Sequence, residues 1–324
     1  MMKQILLCLI VLSTVGCIKS QNTSNQPREI KDWWLWTASW HPHAPIIVVG
    51  GTQDTLRLFS TKESRLLTNL PVKGTITKTK WHPVQNILAF AMQGGKSKTS
   101  ILHLDTGKRV QLDSINDFGA RAIDWHKSGE FLAVGDYDGN IGIFHQEGQL
   151  LKKIVTGQKG IMGLDWHPSK DIIVAVGEKI TLYDLSSDSI RHIQHRDKEV
   201  LMLCVEWHPS GEQFVTGDYG DFKYDYPPLL QFWSADGENI RTVEKSKAEY
   251  RNLKWSQDGT LLATASDKLR LWDQNGDLVS EQPVPHLLWG IDWNSDDSKL
   301  VTTDEKGLIH IWDRNLKKIG ELKY

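Results

Sequence analysis

The sequence predicts an all-β chain, a seven-bladed β-propeller of four-stranded antiparallel blades. Three observations carry this. Seven tryptophans (Trp40, Trp81, Trp125, Trp166, Trp207, Trp255 and Trp293) recur at separations of 41, 44, 41, 41, 48 and 38 residues. A period near forty marks propeller blades or helical repeats. Within one period, short apolar runs alternate with turn residues and no helical stretch intervenes, so the repeat is a β-sheet. The third is composition: 14 tryptophans and 26 glycines, within a 40% hydrophobic and 24% charged background, suit an all-β globular chain.

Residues 1–16 read as an export signal ahead of the fold. Lys3 gives a basic start, Ile5 to Leu12 is an apolar run too short to span a bilayer, and small residues follow. Gly16 directly before Cys17 resembles a bacterial lipobox, which implies lipidation at Cys17 and a chain exported and held on the cell envelope, at the outer membrane. Residues 17–30 are polar and lack apolar periodicity, as a flexible tether would. With Cys8 in the signal and Cys17 lipidated, Cys204 is the one internal thiol, so no intramolecular disulfide is expected. Its neighbours Met202, Leu203 and Val205 predict a buried, inert thiol. Net charge is -2 with scattered Lys and Arg, which argues against a nucleic-acid partner.

The propeller is expected over 31–324. Its fourth unit shows the pattern: strands at Ile161 to Trp166, Asp171 to Val176, Lys179 to Tyr183 and Ile190 to His195, joined by tight turns. Such a sheet has two apolar faces, and a ring of seven buries them all. Each third strand ends in a large apolar residue: Phe59, Leu104, Phe144, Tyr183, Trp233, Trp272 and Trp312. Asp105, Asp184, Asp273 and Asp313 follow four of these, twice as Trp-Asp. On these residues the chain resembles the WD40 family of β-propellers from about residue 33 to 324. That resemblance implies a scaffold without catalysis. The family's Gly-His dipeptide is missing, and the turn aspartate fits its usual offset at Asp138, so an incomplete His–Ser/Thr–Trp–Asp network is expected in most blades. The first unit starts at its inner strand and the last ends with an outer strand, Lys317 to Lys323. Closure by packing is therefore expected, through Trp33, Trp36 and Trp289, rather than by a borrowed strand.

Five units carry a histidine directly after the repeat tryptophan: His41, His82, His126, His167 and His208. Asp124, Asp165 and Glu206 stand two residues before three of them, on the same strand face. Each pair belongs to a different unit, whereas catalysis needs groups converging on one atom. The pairs are therefore read as structural: His and Pro shape the turn and the acid orients the imidazole. A hydrolase or lyase at the channel mouth would require at least two pairs around one pocket. Asp136-Tyr137-Asp138-Gly139-Asn140 resembles the start of a calcium loop but lacks its closing Glu, and Asp-Gly between strands signals a turn. No catalytic residue, metal or cofactor is expected.

What differs between units is the better guide to a site. Unit 5 carries an insertion from Gly217 to Pro228, between its second and third strands and opposite the Trp-His turns. Four positions before each repeat tryptophan, near that same face, stand Trp36, Thr77, Arg121, Met162, Leu203, Arg251 and Trp289. Ring closure makes Trp36 and Trp289 neighbours, with Tyr250 and Arg251 between them and the insertion. Trp, Tyr and Arg dominate binding hot spots. The expected partner-binding residues are Trp36, Arg121, Tyr219, Phe222, Tyr224, Tyr226, Tyr250, Arg251 and Trp289, with a mobile loop supplying four. The function expected is a monomeric protein-binding platform in the cell envelope, touching membrane only through its lipid. The alternative is a binder of saccharide or peptidoglycan, because stacked tryptophans suit sugar rings.

Overall fold

A computed structural model describes residues 34–94, 99–112 and 118–324. The expected signal, the lipidation at Cys17, the tether and Trp33 lie outside the described residues. Among the described residues of the unit Asp32–Tyr324, 28 strands form seven antiparallel sheets, each built from four strands consecutive in sequence. These sheets are blades 1 to 7. Their inner strands run Leu35–Trp40, Thr75–Trp81, Ala120–Trp125, Gly163–Trp166, Met202–Trp207, Asn252–Trp255 and Leu288–Trp293.

One cross-strand row explains why the repeat tryptophan sets the period. Trp40, Ile47 and Phe59 stand side by side across blade 1, and the same row recurs as Trp166–Ile173–Tyr183 and Trp293–Leu300–Trp312. Each row packs against the adjacent blade, so the hydrophobic core consists of seven clusters, each shared by two neighbours. Blade 2 departs from expectation. Leu102, not Leu104, completes the row with Trp81 and Leu88, and Leu104 opens the turn directly after the strand Ser100–His103.

The ring closes without strand exchange. Leu35, Trp40 and Phe59 of blade 1 share a cluster with Val301, Ile309 and Ile311 of blade 7. The Trp40 amide donates to Asp292 Oδ2 at 2.6 Å, and Thr303 Oγ1 donates to the Leu35 carbonyl at 2.9 Å. Trp36 and Trp289 touch across the seam, with ring centroids 5.2 Å apart.

The family-type network is partial, as expected, but its carboxylate is placed differently. Trp233, Trp272 and Trp312 donate through Nε1 to Thr216, Thr264 and Thr302 at 2.8–3.0 Å. Asp138 is exposed; the buried turn acid is Asp136, which accepts the amides of Asp138 and Asn140 at 2.9 and 2.7 Å. Asp218 and Asp304 repeat this in blades 5 and 7. The offset misleads because the carboxylate ends the second strand and caps the turn that follows. The same bonds saturate the calcium-like stretch, since Asn140 Nδ2 takes Asp136 Oδ2 at 2.9 Å.

Candidate channel-mouth site

The inner strands carry a repeated irregularity. Their pairing with the second strand skips one residue at Trp36, Thr77, Arg121 and Leu203, and two at Trp289–Gly290. In blades 4 and 6 the ladder begins one residue later, after Met162 and Arg251. A bulge frees a residue from the ladder and re-aims its side chain. All seven residues four places before a repeat tryptophan thus line one cavity at the end of the channel.

Four of them form a ladder. The Arg121 guanidinium lies 5.4 Å from the Trp36 ring, Trp36 packs on Trp289, and the Arg251 guanidinium lies 3.9 Å from the Trp289 ring. Tyr219 extends it at 6.0 Å from Arg251. Trp34, which the sequence analysis did not single out, packs on Trp289 at 5.3 Å. Cation–π contacts of this kind strengthen when desolvated, and here Trp36, Arg121, Arg251 and Trp289 are only 5–7% exposed. Neither indole offers an open face for a sugar ring.

The blade 5 insertion is closed by a bridge at its tip. Asp221 and Tyr226 exchange amide–carbonyl bonds of 2.7 and 2.9 Å. Its base is pinned by Asp218, whose Oδ1 accepts from Gly220 and Leu229 and whose Oδ2 pairs with Arg196 at 2.7 Å. Phe222 and Tyr224 at its tip are each 59% exposed, while Tyr219 and Tyr226 are half-buried. Tyr250 corrects the sequence reading: it is fully buried between blades 5 and 6 and cannot reach a partner. Cys204, Val215, Leu230 and Leu253 share its hydrophobic cluster there. Burial also pushes the Cys204 thiol up to about 12, which leaves it inert.

The acid–histidine pairs part company. Each imidazole crosses to the next blade: His82, His167 and His208 bond through Nε2 to the carbonyls of Gly129, Gly211 and Gly259 at 2.9–3.1 Å. These glycines have φ of 71–76°, and a Cβ at Gly129 would collide with the His82 ring. His82 and His167 Nδ1 accept amides of their own turns. His41, His82, His126, His167 and His208 each pack on the next repeat tryptophan at 4.5–5.0 Å. The acids instead face the channel. Asp124, Asp165 and Glu206 accept the amides of Trp166, Trp207 and Trp255 at 2.8–3.1 Å. The acid therefore does not orient the imidazole, and the pairs do not converge on one pocket. Among the described residues, no group of three or more His, Cys, Asp or Glu is arranged to hold a metal ion.

A pH dependence follows from these clasps. Burial is the leading cause that holds His41, His82 and His167 below the ordinary value, and each Nδ1 accepts an amide, which only the unprotonated nitrogen can do. A depressed folded value means that this stability is fully present above the unfolded value near 6.5 and is lost as pH falls through the folded one. The melting temperature is expected to drop by a few degrees between pH 7.5 and 5. A His82→Asn/His167→Asn variant should melt lower at pH 7.5 and show a shallower slope.

Comparison with known proteins agrees with this architecture. The family described as WD domain, G-beta repeat matches residues 282–313, the anaphase-promoting complex subunit 4 WD40 domain matches 110–169, and eukaryotic translation initiation factor eIF2A matches 146–291. Intraflagellar transport protein 80 homolog of Mus musculus is 21% identical over 55% of this chain and 22% of its own length. WD repeat-containing protein 1 of Gallus gallus is 22% identical over 52% of this chain and 27% of its own. Ribosome biogenesis protein erb1 of Pyrenophora tritici-repentis is 30% identical over 45% of this chain and 20% of its own. The match thus spans about a fifth to a quarter of each relative's length. With seven contiguous four-stranded blades, a tryptophan-headed repeat and WD-type family matches at two places along the ring, the chain belongs to the WD40-repeat β-propellers.

Proposed function

We propose that the chain is a non-catalytic scaffold that binds a protein partner at the cell envelope, on the face that holds the channel mouth and the blade 5 hairpin. One observation carries the reading: the exposed Phe222 and Tyr224 stand on a pinned hairpin beside the Arg–Trp ladder. Rigid aromatics offer contact area at low entropic cost, and a partner would cover them around a preformed centre. The WD40 relatives agree with a scaffold role. The ladder residues are buried within the ring, so alanine there would disturb the fold as well as the surface. Phe222→Ala/Tyr224→Ala is the cleaner test. It is expected to leave the melting temperature within about 1 °C, since surface changes cost little, and to cut crosslinked capture of the partner from intact cells at least roughly tenfold, as hot-spot loss does. Undiminished capture would refute the assignment of this face.

Attachment to the envelope rests on Lys3, the apolar run Ile5 to Leu12 and Gly16-Cys17. The lipidated chain acts as a monomer. Cys17→Ala is expected to abolish incorporation of a labelled fatty acid and to move the chain from the membrane to the soluble fraction. Persistent labelling of that variant would exclude Cys17 as the anchor.

A further inference from the structure

The cavity at the channel mouth is unbalanced in its hydrogen bonding. Trp36 Nε1, Trp289 Nε1, Arg121 Nη1 and Arg251 Nε are buried without partners. All four are donors. Among the described residues, no acid lines the cavity; Glu249, beside it, already pairs with Arg251 Nη2. Lys78 lies deeper, held at 2.5 Å by Asn252 Oδ1. Buried donors left unpaired are costly, so their persistence in one place calls for an acceptor-only ligand.

We propose that the mouth is a receptor for a single carboxylate, the side chain of an Asp or Glu presented by the protein partner. The proposal rests on the protein-binding reading above and adds the chemistry recognised. An ionised carboxyl group brings two oxygens with about four lone-pair sites and no donor, matching the donors present. An ammonium or guanidinium ligand would instead face three cations. The cavity is narrow, walled by the seven side chains that precede the repeat tryptophans, and a planar carboxylate head is among the smallest anionic groups that could enter it. Flanking residues of the same segment would meet Phe222 and Tyr224.

The test uses calorimetry on the full chain with Gly-Ser-X-Ser-Gly peptides, acetylated and amidated, in which X is Glu, Gln, Lys or phosphoserine. The Glu peptide is expected to bind at least roughly tenfold more tightly than the Gln and Lys peptides. Its affinity should fall as pH rises through about 8, where Lys78 loses its charge; burial, then Lys80 and Lys254, lower that lysine, while Cys204 and Glu206 oppose them. Arg121→Met should remove the preference. Trp36→Phe/Trp289→Phe keeps an aromatic ring at each position, removes both N–H donors and should weaken Glu binding several-fold while the chain still melts cooperatively above the assay temperature. Equal binding of Glu and Gln, tighter binding of phosphoserine than Glu, or full affinity in the double Phe variant would overturn the proposal. Capture of the cellular partner separates it from the reading beneath. Capture by wild type and Arg121→Met alike, with no Glu preference, refutes the carboxylate receptor and leaves the scaffold. A Glu preference with no partner captured at all refutes the scaffold and leaves the receptor.

Discussion

Trp293→Ala is expected to destabilise the propeller by about 3–5 kcal/mol, the cost of truncating a large buried aromatic. The side chain is fully buried among Ala263, Leu271, Leu288, Leu300 and Trp312, at the interface of blades 6 and 7. Its Nε1 donates to the Lys254 carbonyl at 3.1 Å, and the Arg314 guanidinium lies 5.7 Å from its ring. Alanine loses the transfer free energy, opens a cavity between two sheets and strands the carbonyl. A melting temperature lower by on the order of 10 °C, with a lower urea midpoint, would match. Trp293→Phe separates the contributions. It keeps most of the packing and loses the indole bond, which should cost about 1–2 kcal/mol. Equal losses in the two variants would show that the interface relies on the hydrogen bond and not on packing.

The repeat tryptophans were legible because they are spaced by the fold itself: one cross-strand row per blade, one blade per period. The gathering of Trp36, Arg121, Arg251 and Trp289 was legible for the same reason, since equal offsets in a closed ring point to one axis. What the sequence could not reveal was the bulge that frees those side chains, because no residue type marks it: Trp, Thr, Arg and Leu all occupy it. Tyr250 is expected beside Arg251 on the binding face, yet adjacent residues near a strand start face opposite ways, and Tyr250 is buried between blades 5 and 6. The histidines misled differently. Two residues of separation put acid and imidazole on the same strand face, but the strand ends at the tryptophan and the imidazole belongs to the turn. Asp165 then serves the amide of Trp207, and His167 reaches Gly211.

The acids freed from that pairing account for the second large effect. Lys80 Nζ lies 2.9 Å from Asp124 and 3.6 Å from Asp165, inside the channel. Burial alone would lower this lysine, but Asp124, Asp165 and Glu206 outweigh it and raise it well above the ordinary value. Lys78, two residues earlier, feels Glu206 but neither Asp124 nor Asp165, and burial, then Lys80, lower it. Lys80→Met removes the cation held between Asp124 and Asp165, leaving Lys254 to offset Asp165 and Glu206, and is expected to cost about 3 kcal/mol at pH 8. That is the lower end for a broken buried pair, because channel water reaches the 23% of the Lys80 side chain that stays accessible. The pH profile identifies the cause. Asp165 is already raised, by burial first and Asp124 second, and removal of Lys80 raises it further. A raised folded value contributes stability that is present below the unfolded value and lost as pH rises through the folded one. The deficit of Lys80→Met relative to wild type should therefore shrink as pH falls from 8 towards 5, opposite in direction to the histidine clasps. Lys80→Met/Asp165→Asn should recover part of the loss at pH 8. A deficit constant across that range, with no recovery in the double variant, would mean that Lys80 acts through its aliphatic stem and not its charge.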